Sequence, residues 1–299
     1  MLIVAGLGGN ALLQRGEQPA AEIQQHHVDD AVRQLARICD GNEIIVTHGN
    51  GPQVGMLALE SANDSVLSHP FPFDVLGAQT QGMIGYWLVQ ALGNVLQRRV
   101  VAVLTQTIVD THDPAFDTPT KFVGRGYSHE EARRVGADTW VLRPDGDLWR
   151  RVVASPEPVE VVEIDTIKDL VAQGTIVVCA GGGGIPVARD ERGRLGGVEA
   201  VIDKDLATAL IARDTGADAL LLLTDVPGVF ADYGLPTQHT LAKVGVDELR
   251  AMNFAAGSMG PKVEAVCRFV KVTGKHGSIG TFDDAPGLLG GTAGTTVVR

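Results

Sequence analysis

The sequence predicts an α/β protein: a three-layer αβα sandwich with a mostly parallel central sheet and a small protruding β subdomain. Three observations carry this. Short apolar runs alternate with amphipathic helical stretches along the 299 residues, the rhythm of crossover units around a sheet covered on both faces. Most of the core runs end in glycine clusters, and open sheets of this kind bind ligands beyond the carboxyl ends of their strands. One segment, about residues 113–160, breaks the rhythm and is rich in Pro, Asp, Arg and Thr.

The elements follow in order. Leu2–Ala5 is strand-like and runs into glycines. Ala21–Cys39 is a helix, because Val28, Ala31, Val32, Leu35 and Ile38 recur near the i, i+3, i+4, i+7 spacing. Glu43–Thr47 is a strand entering His48-Gly49-Asn50-Gly51-Pro52. Helices are expected at Gln53–Ser61 and Val75–Leu96, then a strand at Val100–Thr105. Thr139–Arg143 and Leu148–Val153 flank Pro144-Asp145-Gly146-Asp147, and Asp-Gly between two strand-like runs is a hairpin signal. Gly174–Ala180 is a strand followed by four glycines, Gly181 to Gly184. Ala200–Ala212 reads as a helix, Ala219–Thr224 as a strand entering Asp225-Val226-Pro227-Gly228, and Lys262–Val272 as a helix. Short strands at Ser278–Phe282 and Thr295–Val298 close the chain.

Hydrophobic residues make up 44% of the chain, enough for a large core, and the formal net charge is -11. That balance argues against a nucleic-acid partner, whose footprint is a basic patch. Any anionic substrate must be held by local positive groups. Cys39, Cys179 and Cys267 are far apart and odd in number, which predicts buried thiols rather than a disulfide framework or a zinc site. The first residues lack a basic segment and their apolar run breaks at Gly8-Gly9, so neither a signal peptide nor a membrane span is expected, and the expected compartment is the cytoplasm.

Gly6-Leu7-Gly8-Gly9-Asn10-Ala11 fits the loose dinucleotide fingerprint, but the acidic residues about 20 positions on, Asp29 and Asp30, fall inside a helical pattern. A glycine turn without a ligand and an anion-cradling loop both remain open for this run. No Gly-x-x-x-x-Gly-Lys-Ser/Thr loop is present. A phosphate enzyme built on this chain must therefore use several separate glycine turns, and His48-Gly49-Asn50-Gly51 and Gly181–Gly184 supply two more. The chain prefers arginine, yet places lysines in Pro119-Thr120-Lys121, Asp203-Lys204-Asp205 and Gly257-Ser258-Met259-Gly260-Pro261-Lys262. Lysine is a compact point charge, suited to a tight phosphate site. No Ser/His/Asp constellation or general base stands out. That fits phosphoryl transfer to a carboxylate acceptor, which is already ionised near neutral pH. Positioning and charge neutralisation then suffice.

Together these segments resemble the carbamate kinases, within the wider amino acid kinase fold family. The resemblance runs nearly end to end: GLGGNALL from Gly6, VTHGNGPQVG from Val46, DVLGAQTQGMIGY from Asp74, DPAFDTPTKFVG from Asp113, RRVVASPEPVEVVE from Arg150, GGGGIPV from Gly181, GGVEAVIDKDLA from Gly196, LLTDVPGVF from Leu222 and GSMGPKVEA from Gly257. It implies two lobes, 1–187 for carbamate and 188–299 for ATP. The acceptor would be held by Gly8, Gly9, Asn10, Gly49, Asn50 and Gly51, with Gly181 and Gly182 beside it. Lys121 would reach over the reacting groups from the protruding subdomain. Lys204 and Lys262 would neutralise the transferring phosphoryl and the ADP leaving group, and Asp205 would orient the lysines. The nucleotide would lie against Asp203, Thr224, Asp225, Val226, Val229, Tyr233, Met259 and Gly260. Mg²⁺ would be held mainly by the nucleotide phosphates, with few direct protein ligands. A homodimer packing through the N-terminal lobes is implied, as is use of carbamoyl phosphate to make ATP in arginine or purine breakdown. Two stretches depart from the family pattern: Gly234-Leu235-Pro236 replaces Gly-Lys-Pro, and Gly124-Arg125-Gly126-Tyr127 replaces Gly-Pro-x-Tyr. Competing readings are a related kinase for another small carboxylate, a non-catalytic nucleotide sensor and a dinucleotide oxidoreductase. Retention of all three lysines and Asp205 speaks against the sensor.

Overall fold

The computed structural model describes residues 1–9, 12–14, 17–135, 140–254 and 259–299. In chain order the first part comprises β1 (Leu2–Leu7), α1 (Ala21–Cys39), β2 (Glu43–His48), α2 (Gly51–Asn63), α3 (Phe73–Val95), β3 (Val100–Ala102) and β4 (Gln106–Ile108). Next come β5 (Lys121–Tyr127), α4 (His129–Val135), β6 (Leu142–Asp145), β7 (Leu148–Val153), β8 (Glu160–Val161), α5 (Ile164–Ala172), β9 (Ile176–Val178), β10 (Ile185–Arg189) and β11 (Leu195–Gly197). The remainder is α6 (Lys204–Asp214), β12 (Ala219–Thr224), β13 (Phe230–Ala231), β14 (His239–Thr240), β15 (Lys243–Gly245), α7 (Val246–Ala251), α8 (Met259–Thr273), β16 (His276–Thr281), α9 (Ala285–Gly290) and β17 (Thr295–Val298).

Eight strands form the central sheet in the order β15-β17-β16-β12-β1-β2-β9-β3. All neighbours are parallel except β16 and β17. The pleat explains the three layers, since successive side chains point to opposite faces. Val4, Ile45, Val177, Leu220 and Leu222 join one core with α6 and α8. Ile3, Ala5, Leu7, Ile44, Val46, Leu221 and Leu223 join another with α1, α3 and α9. Because both faces are covered, β12 reads Ala-Leu-Leu-Leu-Leu-Thr with every residue buried.

The hairpin expected around Asp145-Gly146 forms between β6 and β7, closed by the Asp145/Leu148 pair with Gly146 at φ 63. With β5 it makes a three-stranded sheet, β5-β7-β6, the protruding subdomain. The half of that hairpin expected at Thr139 lies partly outside the described residues. Other boundaries move. The strand expected over Val100–Thr105 ends at Ala102, and β4 starts a second sheet, β11-β10-β4-β8. The helix expected from Ala200 starts at Lys204, because the Asp203 side chain accepts the N–H groups of Asp205 and Leu206 as an N-cap. Among the described residues no helix is long and apolar enough to cross a membrane. All three cysteines are free thiols in the interior.

Candidate active site

The carboxyl ends of β1, β2, β9 and β12 meet at one rim of the sheet. The Gly8 N–H donates to the Leu223 carbonyl at 2.9 Å and the Gly49 N–H to that of Leu7 at 3.0 Å, so the turns after β1 and β2 are tied to neighbouring strands. Above them opens a cleft of about 820 Å³, bounded on the far side by the protruding subdomain. Of the acceptor residues expected from the sequence, Gly8, Gly9, Gly49, Asn50, Gly51 and Gly182 line it. So do Lys121, Lys204, Asp205 and Lys262, with Asp203, Thr224 and Asp225. Asn10 lies outside the described residues, as do Gly257 and Ser258. Gly181 sits behind the lining, against His48. Val226, Tyr233, Met259 and Gly260 are not part of the lining. Val229 is wholly buried, its N–H donating to Thr295 at 2.8 Å.

The centre of the cleft is a chain of lysines and aspartates. Lys204, the first residue of α6, pairs with the Asp205 carboxylate. Lys262, on α8, reaches the other Asp205 oxygen at 3.2 Å. Lys121, the first residue of β5, donates to Asp203 Oδ2 at 2.5 Å, while Asp203 Oδ1 caps α6. Three separate elements thus deliver ammonium groups to two neighbouring carboxylates. Burial opposes the charge on Asp205, but Lys204 and then Lys262 outweigh it and hold its carboxyl well below the ordinary range. Burial pulls Lys204 below the ordinary lysine value, against the Asp205 carboxylate, and the Lys262 charge adds to the pull. Lys262 also loses to burial, but Asp205 overcomes it and leaves the group raised. The Lys204–Asp205 contact itself favours the charged form of both partners, and burial is what pulls Lys204 down. The geometry, an ammonium on a carboxylate, decides for an ion pair, with Lys204 bearing the larger burial cost.

Opposite the lysines lies the N-terminus of α2. Asn50 is its N-cap residue but makes no capping bond with its side chain. Its amide is drawn instead to Thr80 of α3, at 2.9 Å. The glycine turn presses on this group: Gly182 has φ 65, and a Cβ there would come within 2.4 Å of the Asn50 amide atoms. His48 lies beneath, fully buried, its Nδ1–H donating to the Gly49 carbonyl at 3.0 Å. Burial, aided by the Lys204 charge and opposed by that hydrogen bond, lowers its pKa to about 4, so the ring is neutral. A helix N-terminus that its own cap side chain leaves uncovered, lining one cleft with lysines, suits an anion.

Sequence reasoning missed several supports. Thr80 and Gln81 lie within a helical run and gave no signal of their own. Gln81 makes paired bonds with the Thr105 backbone, 2.9 Å to its N–H and 3.0 Å to its carbonyl. Gly55 packs on Gly124 across α2 and β5: a Cβ at Gly55 would stand 2.0 Å from the Gly124 Cα. The departure at Gly124–Tyr127 is a bulged stretch of β5, where the register shifts between Val123 and Tyr127 and Gly124 takes φ 71.

The amino acid kinase family matches the chain over residues 1–280. A carbamate kinase of Haemophilus influenzae is 47% identical, the alignment covering 100% of this chain and 97% of that one. Among solved structures, a carbamate kinase from Giardia lamblia bound to citric acid superposes with TM-score 0.93 at 40% identity, covering 99% of this chain and 98% of that one. A second structure of the Giardia enzyme, bound to AMP-PNP, gives TM-score 0.89 at 40% identity with the same coverage.

Proposed function

The chain belongs to the carbamate kinases of the amino acid kinase family, and on that premise we propose that its cleft transfers a phosphoryl group reversibly between ATP and carbamate. The observation that carries the reading is the convergence of Lys121, Lys204 and Lys262 on Asp203 and Asp205, facing the glycine turns after β1 and β2. In the ATP-forming direction a β-phosphate oxygen of ADP attacks the phosphorus of carbamoyl phosphate. The bond to the carbamate oxygen breaks, and carbamate leaves as an anion. No proton need be taken from the acceptor in either direction, so the site requires charge and position rather than a base.

On this reading Gly8, Gly9, Asn10, Gly49, Asn50 and Gly51 hold the carbamoyl end, with Gly181 and Gly182 closing its back. Lys204 and Lys262 neutralise the transferring phosphoryl and the nucleotide phosphate, and Lys121 approaches from the subdomain. Asp205 holds two of these ammonium groups apart and in place. The nucleotide runs from Asp203, Thr224 and Asp225 toward Val226, Val229 and Tyr233, with Met259 and Gly260 at the start of α8. The AMP-PNP carried by the Giardia relative supports a nucleotide in this cleft. Mg²⁺ fits as an ion held by nucleotide phosphate oxygens, because lysines already engage Asp203 and Asp205. When bound it would lower the charge of the phosphates. The reading also divides the chain at about 187/188 into acceptor and nucleotide lobes, and pairs two chains as a homodimer in the cytoplasm.

The test is coupled ATP formation from ADP and Mg²⁺ with carbamoyl phosphate, run beside acetyl phosphate. The expected result is rapid ATP production with the first donor and little with the second. A folded protein that binds ADP yet makes no ATP above the spontaneous rate from carbamoyl phosphate would overturn the reading.

A further inference from the structure

Asn50 sits where asparagine ordinarily caps a helix, yet its side chain does not cap α2. The cause lies on α3. The Thr80 hydroxyl donates to the Gly77 carbonyl at 2.8 Å. A hydroxyl has a single hydrogen, so its second contact, to Asn50 Nδ2 at 2.9 Å, must have Asn50 donating. The amide therefore has one orientation, with nitrogen toward α3. Both partners are buried, Thr80 completely. The Gly182 backbone closes the other side of the amide, and Gln81, the next residue of α3, is locked to the Thr105 backbone. The hydroxyl is thus fixed relative to the turn that Asn50 belongs to.

We propose that Thr80 is a positioning residue for the acceptor end of the site: by taking the Asn50 amide it keeps that side chain off the N-terminus of α2, leaving the first-turn N–H groups of Gly51 and Gln53 for the substrate anion, Pro52 having none and the Val54 N–H being bonded to the Asn50 carbonyl. Without the hydroxyl, Asn50 turns to its ordinary N-cap role and competes with the ligand. The inference rests on the reading of Asn50 as a substrate contact, and its test separates the two.

Thr80→Val removes the hydroxyl and keeps the shape; Thr80→Ser keeps the hydroxyl. The expected result is a rise in KM for carbamoyl phosphate of about five- to tenfold in Thr80→Val, the scale of one lost hydrogen bond, with KM for ADP unchanged and Thr80→Ser close to wild type. In an Asn50→Ala background Thr80→Val adds nothing further to that KM, because the two act as one unit. Wild-type KM in Thr80→Val, an equal rise for ADP, or additive effects in the double variant would each overturn the proposal. If Thr80→Val does not fold, Thr80→Ala makes the same comparison. If Asn50→Ala itself leaves KM unchanged, the reading of Asn50 fails and this inference with it. If Asn50→Ala is impaired and Thr80→Val is not, only the role of Thr80 fails.

Discussion

Asp205 is buried between two ammonium groups, and His48 is buried beside one of them. Their titrations act on different parts of the pH scale. The folded-state pKa of Asp205 is depressed, so its contribution to stability is present above the ordinary carboxylate range and is lost as pH falls through and below it. His48 is also depressed, from 6.5 to about 4. Below pH 6.5 the unfolded chain takes up a proton that the folded ring refuses, so stability falls with pH from there down to about 4. Between pH 7 and pH 5 this group alone costs about 2 kcal/mol. Urea unfolding at those two pH values should show the loss, and His48→Gln should remove most of it. An equal loss in His48→Gln would place the effect elsewhere. At this scale the sequence was partly legible. Lysines in Gly-Pro and Asp-flanked settings stood out in a chain that prefers arginine. His48 did not, because a lone histidine after a strand says nothing of its burial or of the lysine brought beside it from α6.

Helix α6 is tied to the protruding subdomain at its first turn. Asp203 caps it with one oxygen and holds Lys121 with the other, so the start of the helix and the reach of the subdomain are set by one side chain. The apolar run Ala200-Val201-Ile202 continues the helical pattern backwards, so periodicity alone placed the start too early. Strands β4, β8, β10 and β11 escaped the sequence for a related reason: they are two to five residues long and carry Pro186 and glycines, so no period can establish itself. The seat of the subdomain on α2 depends on Gly55, where a Cβ would drive into the Gly124 backbone, three residues along β5 from Lys121. Neither group can yield as a flexible side chain would. Gly55→Ala should therefore displace β5 and lower kcat about 10²-fold, the cost of a small misplacement of a reacting group, with ADP affinity preserved. Wild-type kcat in Gly55→Ala would show that the seat does not set the position of Lys121.

Over the whole molecule, the parallel core was the most legible part. Its strands are buried on both faces, so they read as unbroken apolar runs, and their carboxyl ends read as glycines because backbones approach closely there. Even so, Gly6 of the first run serves packing: a Cβ there would approach Thr208 of α6 to 3.1 Å. What the sequence could not show is which distant segments meet at the rim, since Asn50 and Thr80, or Lys121 and Asp203, lie far apart along the chain. The net charge of -11 makes the local lysines necessary, because the overall field repels every phosphate the site must bind. The homodimer proposed above predicts a sedimentation mass twice the 31.5 kDa of one chain; a single-chain mass at micromolar concentration would contradict it.

On the proposed function, Lys204, held by Asp205 at the head of α6, supplies charge to the phosphoryl group in transit. Single-turnover transfer from carbamoyl phosphate to ADP, with ADP binding measured separately, tests it in Lys204→Met, which keeps the bulk of the buried side chain. The expected variant folds and still binds ADP but transfers at least about 10²-fold more slowly, as for other preorganised charges. Transfer at the wild-type rate would contradict it.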